Sequence, residues 1–470
     1  MTSDDATFEK KVEQVLVKHI PGCSKLISID RLSGGASQET YRIEVRVNGD
    51  DRLIAMRRSP GGEYVEALPS HPGLDVEALL MKLAHEAGVP EPEVYHVLTR
   101  DDDLGDGFVM EWLEGEALGS RILRSPQFDK IRPELAYQCG QIMARIHQID
   151  LKASGLDQRL AVIPPKEFLS QTWERYKVLN VPQPMIDYTG RWLQENLPRD
   201  FSLSLVHNDF RNGNFMITAD RIVAVLDWEV AHIGDPMRDL GWICTNSWRF
   251  NHDPPVGGFG EYEALFRGYE EVSGKQVNPE HVKFWEVFGS FWWAVGTLQF
   301  VEHYRNGPDQ SVERPAVGRR TSECQVDCVN LLIPGPVELA SVESSHEGLS
   351  DMPRADELLT SVRDFLRDEV MSETSGRVNF LARVASNSLD IVVRELAMGP
   401  AILQDEETRL RAIYDSEESL ATLRWRLVNE LRDGAMALDN EAVNAHLRAT
   451  VINQIAIDQP KYSGYRRATE

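Results

Sequence analysis

The segment that most constrains this chain is a polar loop near its middle. It reads HNDFRNGN over residues 207–214, and two apolar residues precede it. Two short apolar runs follow, and Asp227 ends the second of them. We interpret these runs as a β-hairpin. Because a hairpin reverses the chain within a few residues, the spacing predicts that Asp227 returns beside Asn214.

Side chains of this type and spacing suit phosphoryl transfer from ATP. That reaction needs one carboxylate that positions the attacking hydroxyl and receives its proton, and we predict this role for Asp209. It also needs hard oxygen ligands that hold Mg²⁺ on the phosphates, which Asn214 and Asp227 offer. Arg211 lies two residues after Asp209. We predict that its charge neutralises the transferring phosphoryl group.

The segment 205–242, which continues as GDPMRDLGW from residue 234, resembles the catalytic loop and metal-binding strand of a known family. It is similar to the aminoglycoside/choline-kinase-like phosphotransferases, relatives of protein kinases. Where that family most often has Gly, this chain has Asn208. Asn is one of the residues that best tolerates a left-handed backbone, so we expect the loop conformation to survive the exchange.

The resemblance implies both a fold and an activity. The implied fold is α+β and bilobal, protein-kinase-like, with a small antiparallel-sheet N-lobe and a helical C-lobe. The implied activity is transfer of the γ-phosphate of ATP, with Mg²⁺, to a hydroxyl group of a small molecule. The resemblance is strongest to kinase domains associated with acyl-CoA dehydrogenases, which suggests a hydroxyacyl-CoA as the acceptor. An aminoglycoside-like acceptor stays open.

Weaker companion motifs precede the loop. Gly34, Gly35 and Ser37 lie in a glycine turn between two strand-like runs, where backbone N–H groups can approach phosphates closely. Next comes the strand-like run LIAMRR over residues 53–58. The resemblance aligns Arg57 with the usual phosphate-binding Lys, and strand alternation turns the neighbouring Arg58 to the other face. An Arg binds phosphate as a flat fork.

Further nucleotide contacts are implied by the same resemblance. Glu77, on the helix that follows, is the predicted ion-pair partner of Arg57. The run FVMEWLEG over residues 108–115 resembles the hinge between the lobes, where backbone groups meet the adenine. Met110 and Trp112 are therefore predicted to lie near the base. A surface acid and a plain core strand are the alternative interpretations of these two segments.

Periodicity divides the chain into four parts. We predict a nucleotide-covering N-lobe over residues 1–113 and a catalytic, acceptor-binding C-lobe over residues 114–333. Residues 334–351, rich in Pro, Gly and Ser, indicate a linker. Residues 352–470 are predicted to form a small all-α bundle of unknown role. It resembles an uncharacterised bacterial helical domain found attached to such kinases.

Details of the bundle suggest limits on its role. The pair Gly399-Pro400 predicts the end of a helix. The bundle has neither a nucleophile–base set nor a metal-ligand spacing, so we expect it to serve interaction, homo-oligomerisation or the shape of the acceptor site.

Charge restricts the partners of this 470-residue chain. Its 50 Lys and Arg face 74 Asp and Glu, and the formal net charge is −24. Because nucleic acids and anionic membranes are polyanions, we expect neither as a partner. The uncharged stretch 287–301 is shorter than the roughly 20 apolar residues that a membrane-spanning helix needs. Five scattered cysteines without a C-x-x-C pair favour the reducing cytoplasm.

A second function class stays open. Arg57 and Asn208 depart from the family pattern, so the chain could instead be a catalytically weak nucleotide-binding protein. Such a protein would regulate or act as a scaffold through its C-terminal helical domain.

Overall fold

The structure is a computed structural model that describes residues 3–32, 38–66, 68, 71–340 and 352–470. The chain forms two compact units. The first comprises residues 1–165, 199–250 and 254–285, and the second comprises residues 166–198, 251–253 and 286–470. The first unit contains sheets and helices and the second is helical, so the predicted α+β class is confirmed.

All the strands of the described residues lie in the first unit. They are β1 (Cys23–Arg31), β2 (Glu39–Val47), β3 (Asp50–Arg58), β4 (Val94–Val97), β5 (Gly107–Glu111), β6 (Ser204–Val206), β7 (Phe215–Ile217), β8 (Ile222–Val225) and β9 (His232–Gly234). The first five form one antiparallel sheet in the order β1-β2-β3-β5-β4. Two further antiparallel pairs, β6-β9 and β7-β8, follow.

The helices account for most of the remaining described chain. Those up to residue 306 are α1 (Ser3–His19), α2 (Leu74–Glu86), α3 (Gly119–Arg124), α4 (Leu135–His147), α5 (Pro165–Val178), α6 (Pro184–Glu195), α7 (Met237–Cys244), α8 (Tyr262–Ser273) and α9 (Pro279–Asn306). The later ones are α10 (Glu313–Gly318), α11 (Thr321–Leu332), α12 (Ala355–Phe365), α13 (Met371–Glu373), α14 (Gly376–Tyr414), α15 (Leu420–Asp433), α16 (Glu441–Asp458) and α17 (Ser463–Thr469). A π-helical turn, Leu366–Val370, joins α12 to α13.

The five-stranded sheet owes its register to strict alternation along β2. Every second residue of this strand is buried, including Ile43 and Val45, and the residues between them are partly exposed. Helix α1 covers the buried face with Val12 and Leu16. A slip of one residue would expose this apolar set, so the alternation fixes the pairing of β2 with both neighbours.

The helical part of the first unit depends on a close approach of two helices. A Cβ atom added to Gly140 on α4 would lie 2.1 Å from the carbonyl oxygen of Leu265 on α8. One added to Gly268 on α8 would lie equally close to the carbonyl oxygen of Tyr137 on α4. The two backbones therefore pack directly against each other, and only glycine fits at both positions.

A buried carboxylate links three helices of the second unit. Asp187 on α6 is fully buried and accepts hydrogen bonds from Trp173 Nε1 at 3.0 Å and the Tyr176 hydroxyl at 3.1 Å, both on α5. Arg432 on α15 donates to both of its oxygens, at 2.7 and 3.2 Å. The charge pair joins three helices, and losing either partner would leave an uncompensated buried charge.

Helix α14 corrects one prediction. It runs unbroken through Gly399-Pro400, where a helix end was predicted, so that prediction was wrong. Ile391 and Ile402, one on each side of the pair, are buried in one cluster with Ile457 of α16. Packing against a neighbouring helix outweighs the helix-breaking tendency of a single proline.

The region predicted as a linker is partly described. Residues 334–340 have no regular structure, and residues 341–351 lie outside the described residues. Helices occupy most of the chain from Ala355 onwards. The predicted boundaries at residues 113, 333 and 351 stay predictions.

Two further observations concern the described residues. No helix there is both long enough and apolar enough to span a membrane. All five cysteines are buried as free thiols.

We predict that Gly140→Ala destabilises the first unit by about 1–3 kcal/mol, because the added methyl group must push α4 away from α8. Gly296→Ala is the matched control, since its Cβ would meet Trp293 at an ordinary 3.4 Å within α9. That change should leave stability unchanged or raise it by up to about 1 kcal/mol. Differential scanning calorimetry of both variants measures the shifts. Equal melting temperatures for the two variants would contradict the close approach.

Candidate active site

One buried carboxylate anchors the backbone at the start of the polar loop that follows β6. Asp239 on α7 accepts hydrogen bonds from the backbone N–H of His207 at 2.9 Å and of Asn208 at 2.7 Å. Nε2 of His147 on α4 lies 3.0 Å from Oδ2 of the same carboxylate. Burial alone would raise the pKa of Asp239, but these hydrogen bonds outweigh burial and lower it below its ordinary value. Asp239 therefore stays charged and fixes the start of the loop.

Asn208, which stands where the family most often has Gly, has a left-handed backbone conformation. Its φ angle is +67°. Its side-chain oxygen accepts a hydrogen bond from Arg238 Nε at 2.9 Å, and Arg238 is fully buried with its guanidinium 4.4 Å from the centre of the Trp242 ring. A glycine here could adopt the same backbone but could not contact Arg238. Asn208 thus combines the conformation with an added anchor.

Asp209 is oriented by three side chains. Its Oδ1 accepts hydrogen bonds from Trp242 Nε1 at 2.7 Å and from Arg211 Nε at 3.1 Å. Asn214 Nδ2 donates to its Oδ2 and, at 3.0 Å, to its main-chain oxygen. The Arg211 guanidinium also lies 4.2 Å from the centre of the Trp248 ring. The structure thus brings together Asp209, Arg211 and Asn214, three of the predicted residues.

The hairpin returns the chain as the spacing predicted. Phe215 of β7 pairs with Val225 of β8, and the Leu226 N–H donates to the Asn214 carbonyl at 2.8 Å. Asp227 follows directly with a left-handed φ of +70°. A non-glycine residue in this region is uncommon, and such strain is often found at functional sites.

Asn214 and Asp227 fit a divalent cation by their chemistry. The Asn214 amide nitrogen is used by Asp209, which leaves its hard Oδ1 as a ligand atom, and Asp227 offers a carboxylate.

Arg57 connects the five-stranded sheet to this site. Its Nη1 lies 2.9 Å from Glu77 Oε1 on α2, its Nη2 lies 3.1 Å from Asp227 Oδ1, and Glu229 is 4.0 Å away. Arg58 points to the other face, where it meets Glu39 and the Tyr41 hydroxyl. The pairing of Arg57 with Glu77 and the opposite direction of Arg58 are both as the sequence predicted.

Electrostatics explain why Arg57 remains a cation. Burial would lower its pKa, but the carboxylates of Glu77, Asp227 and Glu229 outweigh burial and raise it. Glu77 is almost completely buried, and this burial raises its pKa to about 7, although Arg57 opposes the shift. Arg57 holds the firmer charge of the pair, because a guanidinium does not lose its proton in proteins.

The remaining predicted residues are less informative. Met110 is in β5, paired with Ala55 and Val94. Trp112 follows the strand, and its Nε1 donates to Glu114 Oε1 at 2.7 Å while Arg42 lies 5.8 Å from its ring centre. Neither contact identifies an adenine site. Gly34, Gly35 and Ser37 lie outside the described residues, so their phosphate-binding role stays a prediction.

Several residues at the site were not assigned a role from the sequence. Trp242 has no predicted role, but its Nε1 donates a hydrogen bond directly to Asp209 Oδ1 at 2.7 Å. Glu91 is buried and accepts a hydrogen bond at 3.0 Å from Nε1 of Trp228, the residue that follows Asp227. Position in the GDPMRDLGW run could have pointed to Trp242. No local pattern marks Glu91, because its partner is distant in sequence.

Comparisons with known proteins give two family-model matches. A family model described as the phosphotransferase enzyme family matches residues 28–274, and a domain of unknown function, DUF6285, matches residues 372–462. Acyl-CoA dehydrogenase family member 10 of Mus musculus is 30% identical over 273 residues, which cover 56% of this chain and 24% of that protein. Member 11 of Rattus norvegicus is 24% identical over 398 residues, covering 77% of this chain and 48% of that protein. The chain thus spans at most about half the length of these relatives.

A solved structure supports the same fold. A protein from Ralstonia eutropha JMP134, which carries the provisional name aminoglycoside phosphotransferase, superposes with a TM-score of 0.55 at 21% identity. The match covers 68% of this chain and 97% of that one. The predicted protein-kinase-like fold, with its antiparallel N-terminal sheet and helical C-terminal part, is therefore confirmed, as is the appended helical domain.

We predict that Asn208→Gly destabilises the first unit although the family usually has glycine there. Relief of the left-handed backbone and the extra flexibility of glycine nearly cancel, at about 1 kcal/mol each. The lost hydrogen bond to the buried Arg238 then decides the sign, at about 1.5–3 kcal/mol. Asn208→Asp keeps an acceptor for Arg238 and is the matched control. A melting temperature for the glycine variant at or above that of the wild type would show that the Arg238 contact contributes little.

Proposed function

This chain belongs to the phosphotransferase enzyme family, and from that premise we propose that it transfers the γ-phosphate of ATP to a hydroxyl group of a small molecule. The observation that carries the proposal is the orientation of Asp209. Its Oδ1 is held by Trp242 and Arg211, and its Oδ2 faces the Asn214 amide. A carboxylate fixed in this way can direct an acceptor hydroxyl for attack in line with the phosphate.

In the proposed reaction the residues of the loop divide the work. Asp209 accepts the hydrogen bond of the acceptor hydroxyl and takes its proton as the new oxygen–phosphorus bond forms. At the same time the bond from the γ-phosphorus to the bridging oxygen of ATP breaks, and ADP leaves. Arg211, which lies beside Asp209 and packs on Trp248, supplies positive charge for the phosphoryl oxygens in the transition state. Because both side chains are held by hydrogen bonds or ring contacts, little reorganisation is needed at the moment of transfer.

The metal role that we propose rests on Asn214 and Asp227. These two residues would hold Mg²⁺, which supplies charge neutralisation on the phosphates when bound. Arg57, which pairs with Asp227 and Glu77, would bind the α- and β-phosphates in this proposal. The glycine turn with Gly34, Gly35 and Ser37 would cover the phosphates. Backbone groups near Met110 and Trp112 would meet the adenine.

For the acceptor we propose a hydroxyacyl-CoA. The support is the similarity to acyl-CoA dehydrogenase family members 10 and 11. An aminoglycoside-like acceptor is the alternative, supported by the fold alone.

We propose that the protein acts in the cytoplasm, since its five buried thiols suit a reducing compartment. Apolar side chains on α12 and α14 are about half exposed, among them Leu358, Phe365 and Leu396. These support homo-oligomerisation through the C-terminal helices.

One observation favours a second candidate function. The Arg57 contact occupies an oxygen of Asp227, which the catalytic proposal assigns to a metal. A protein in which this pair persists would bind nucleotide but transfer phosphate poorly, and would regulate or act as a scaffold through its helical domain. ATP turnover with an acceptor distinguishes the two functions.

We predict that Asp209→Ala lowers the rate of ADP formation with a true acceptor by about 10²–10⁴-fold, because the hydroxyl loses its base and its orientation. ATP binding, followed by calorimetry, should remain within about twofold, since the proposal assigns Asp209 to the acceptor hydroxyl and not to the nucleotide. Asp220→Ala is the matched control, because Asp220 is exposed in the turn between β7 and β8. It should behave as the wild type does.

The acceptor set for this assay comprises 3-hydroxyacyl-CoAs, kanamycin and a simple alcohol. Turnover with the first alone supports the proposed acceptor, and turnover with kanamycin alone supports the alternative. Nucleotide binding without turnover on any of them favours the regulatory function. Equal turnover by Asp209→Ala and the wild type would remove the catalytic assignment.

We predict that Arg57→Lys retains transfer whereas Arg57→Ala does not. Lys keeps the cation near Glu77, although it loses the forked contact in which one guanidinium nitrogen reaches Glu77 and the other reaches Asp227. Ala removes charged hydrogen bonds worth about 1.5–3 kcal/mol, so the KM for ATP should rise roughly 10–100-fold. It also leaves the buried Glu77 without its cation, which should lower the melting temperature. If the Lys variant is as impaired as the Ala variant, the forked contact itself is essential.

A further inference from the structure

A pocket of about 480 Å³ lies entirely within the second unit. Its walls come from the chain before and at the start of α6, from α9, α10 and α11, and from the bundle helices α14, α15 and α16. Much of the wall is apolar, for example Leu298 and Val301 of α9 and Leu403 of α14. The volume falls within the range of small-molecule sites in proteins. None of the candidate active-site residues that the structure describes lines it.

One polar residue of the wall is His446 of α16. Its side chain is 1% exposed and lines the pocket. Within the described part of the chain, neither of its ring nitrogens has a hydrogen-bond partner. Buried polar groups in proteins are nearly always hydrogen-bonded, so two unused nitrogens on one buried ring need an explanation. A ligand in the pocket would supply the missing partner.

The His446 ring is neutral at physiological pH. Burial lowers its pKa to about 3, and the nearby positive charges of Arg409 and Arg424 act in the same direction. A neutral imidazole offers one N–H donor and one acceptor nitrogen. It therefore suits a group that can both give and accept a hydrogen bond.

The arginines that line the pocket are already paired with carboxylates. Three arginines contribute to the wall, and each has a carboxylate partner that also lines it. Arg424 pairs with Glu406, Arg319 Nε lies 2.9 Å from Asp458 Oδ1, and Arg305 Nη1 lies 3.6 Å from Glu302 Oε1. An anionic or cationic ligand would have to compete with one of these pairs. Each lining arginine would have to give up its carboxylate partner to pair with a charged ligand.

We propose that this pocket binds an uncharged organic molecule with an apolar body and a hydroxyl group that hydrogen-bonds to His446. The apolar wall receives the body, and the hydroxyl matches the donor and the acceptor of the ring. The matched ion pairs disfavour a charged head. This site is independent of the phosphotransferase proposal and adds a role for the region matched by DUF6285, since Leu403, Glu406, Arg424 and His446 all lie in it.

A probe series with one ring and three head groups tests the chemistry. Saturation-transfer NMR on the full chain measures the affinities of 2-phenylethanol, phenylacetate and phenethylamine. We expect the alcohol to bind at least tenfold more tightly than either ion. Binding of phenylacetate or phenethylamine as tight as that of the alcohol would overturn the choice of an uncharged ligand. No detectable binding of any probe at millimolar concentration would overturn the site.

Two variants locate the binding. His446→Leu should weaken 2-phenylethanol binding at least tenfold and raise the melting temperature, because it removes a buried group without a partner. Leu403→Trp places a larger side chain in the pocket from a half-exposed position on α14, so it should abolish binding. This variant tests the site independently if His446→Leu does not fold. Leu396→Trp, on the same helix with similar exposure and outside the pocket, is the matched control. Unchanged binding by Leu403→Trp, or by a folded His446→Leu, would overturn the proposal.

Discussion

The carboxylate of Asp239 is the interaction on which the candidate active site depends. It lies under the polar loop and accepts the backbone N–H groups of His207 and Asn208 together with the His147 ring. These contacts fix the chain just before Asp209, so that the next side chain points to its three partners. A buried carboxylate is costly unless it is fully hydrogen-bonded. Asp239 meets that condition with donors from α4 and from the loop itself, and it therefore anchors the start of the loop.

The second unit uses the same device at Asp187. There the donors are Trp173, Tyr176 and Arg432, and the charge is balanced by a guanidinium rather than by backbone N–H groups. Burial raises the pKa of Asp187, while Arg432 and the neutral donors pull it down. In contrast, no residue that the structure describes forms a hydrogen bond with either ring nitrogen of His446, which is buried in the same unit. The difference between a fully satisfied buried group and an unsatisfied one separates a structural anchor from a candidate ligand site.

The sequence predicted contacts between residues that are close in the chain, and it missed most contacts between residues that are far apart in the chain. Asp209 and Asn214 are neighbours on one loop, and the short hairpin returns the chain to Asp227, so their convergence followed from spacing. Arg57 and Glu77 were paired through a family resemblance, and the structure brings them together at 2.9 Å. Trp242 was missed as a partner of Asp209, and Glu91 as a partner of Trp228, because no periodicity relates residues so far apart. The helix end predicted at Gly399-Pro400 failed because burial of Ile391 and Ile402 outweighs a local preference.

By itself, the sequence indicated the loop and hairpin of the candidate site and the helical character of the C-terminal region, because turn chemistry and side-chain periodicity act over short stretches of residues. The α+β class and the phosphotransferase family were implied by the resemblance of residues 205–242 to a known family. Only the tertiary structure decided which buried groups have partners. It set the backbone approach at Gly140, the anchoring of Asn208 by Arg238, and the pocket around His446. Such features depend on segments that are remote in sequence and meet only when the chain packs, because hydrogen bonds and cavities belong to the packed assembly of helices rather than to any one of them.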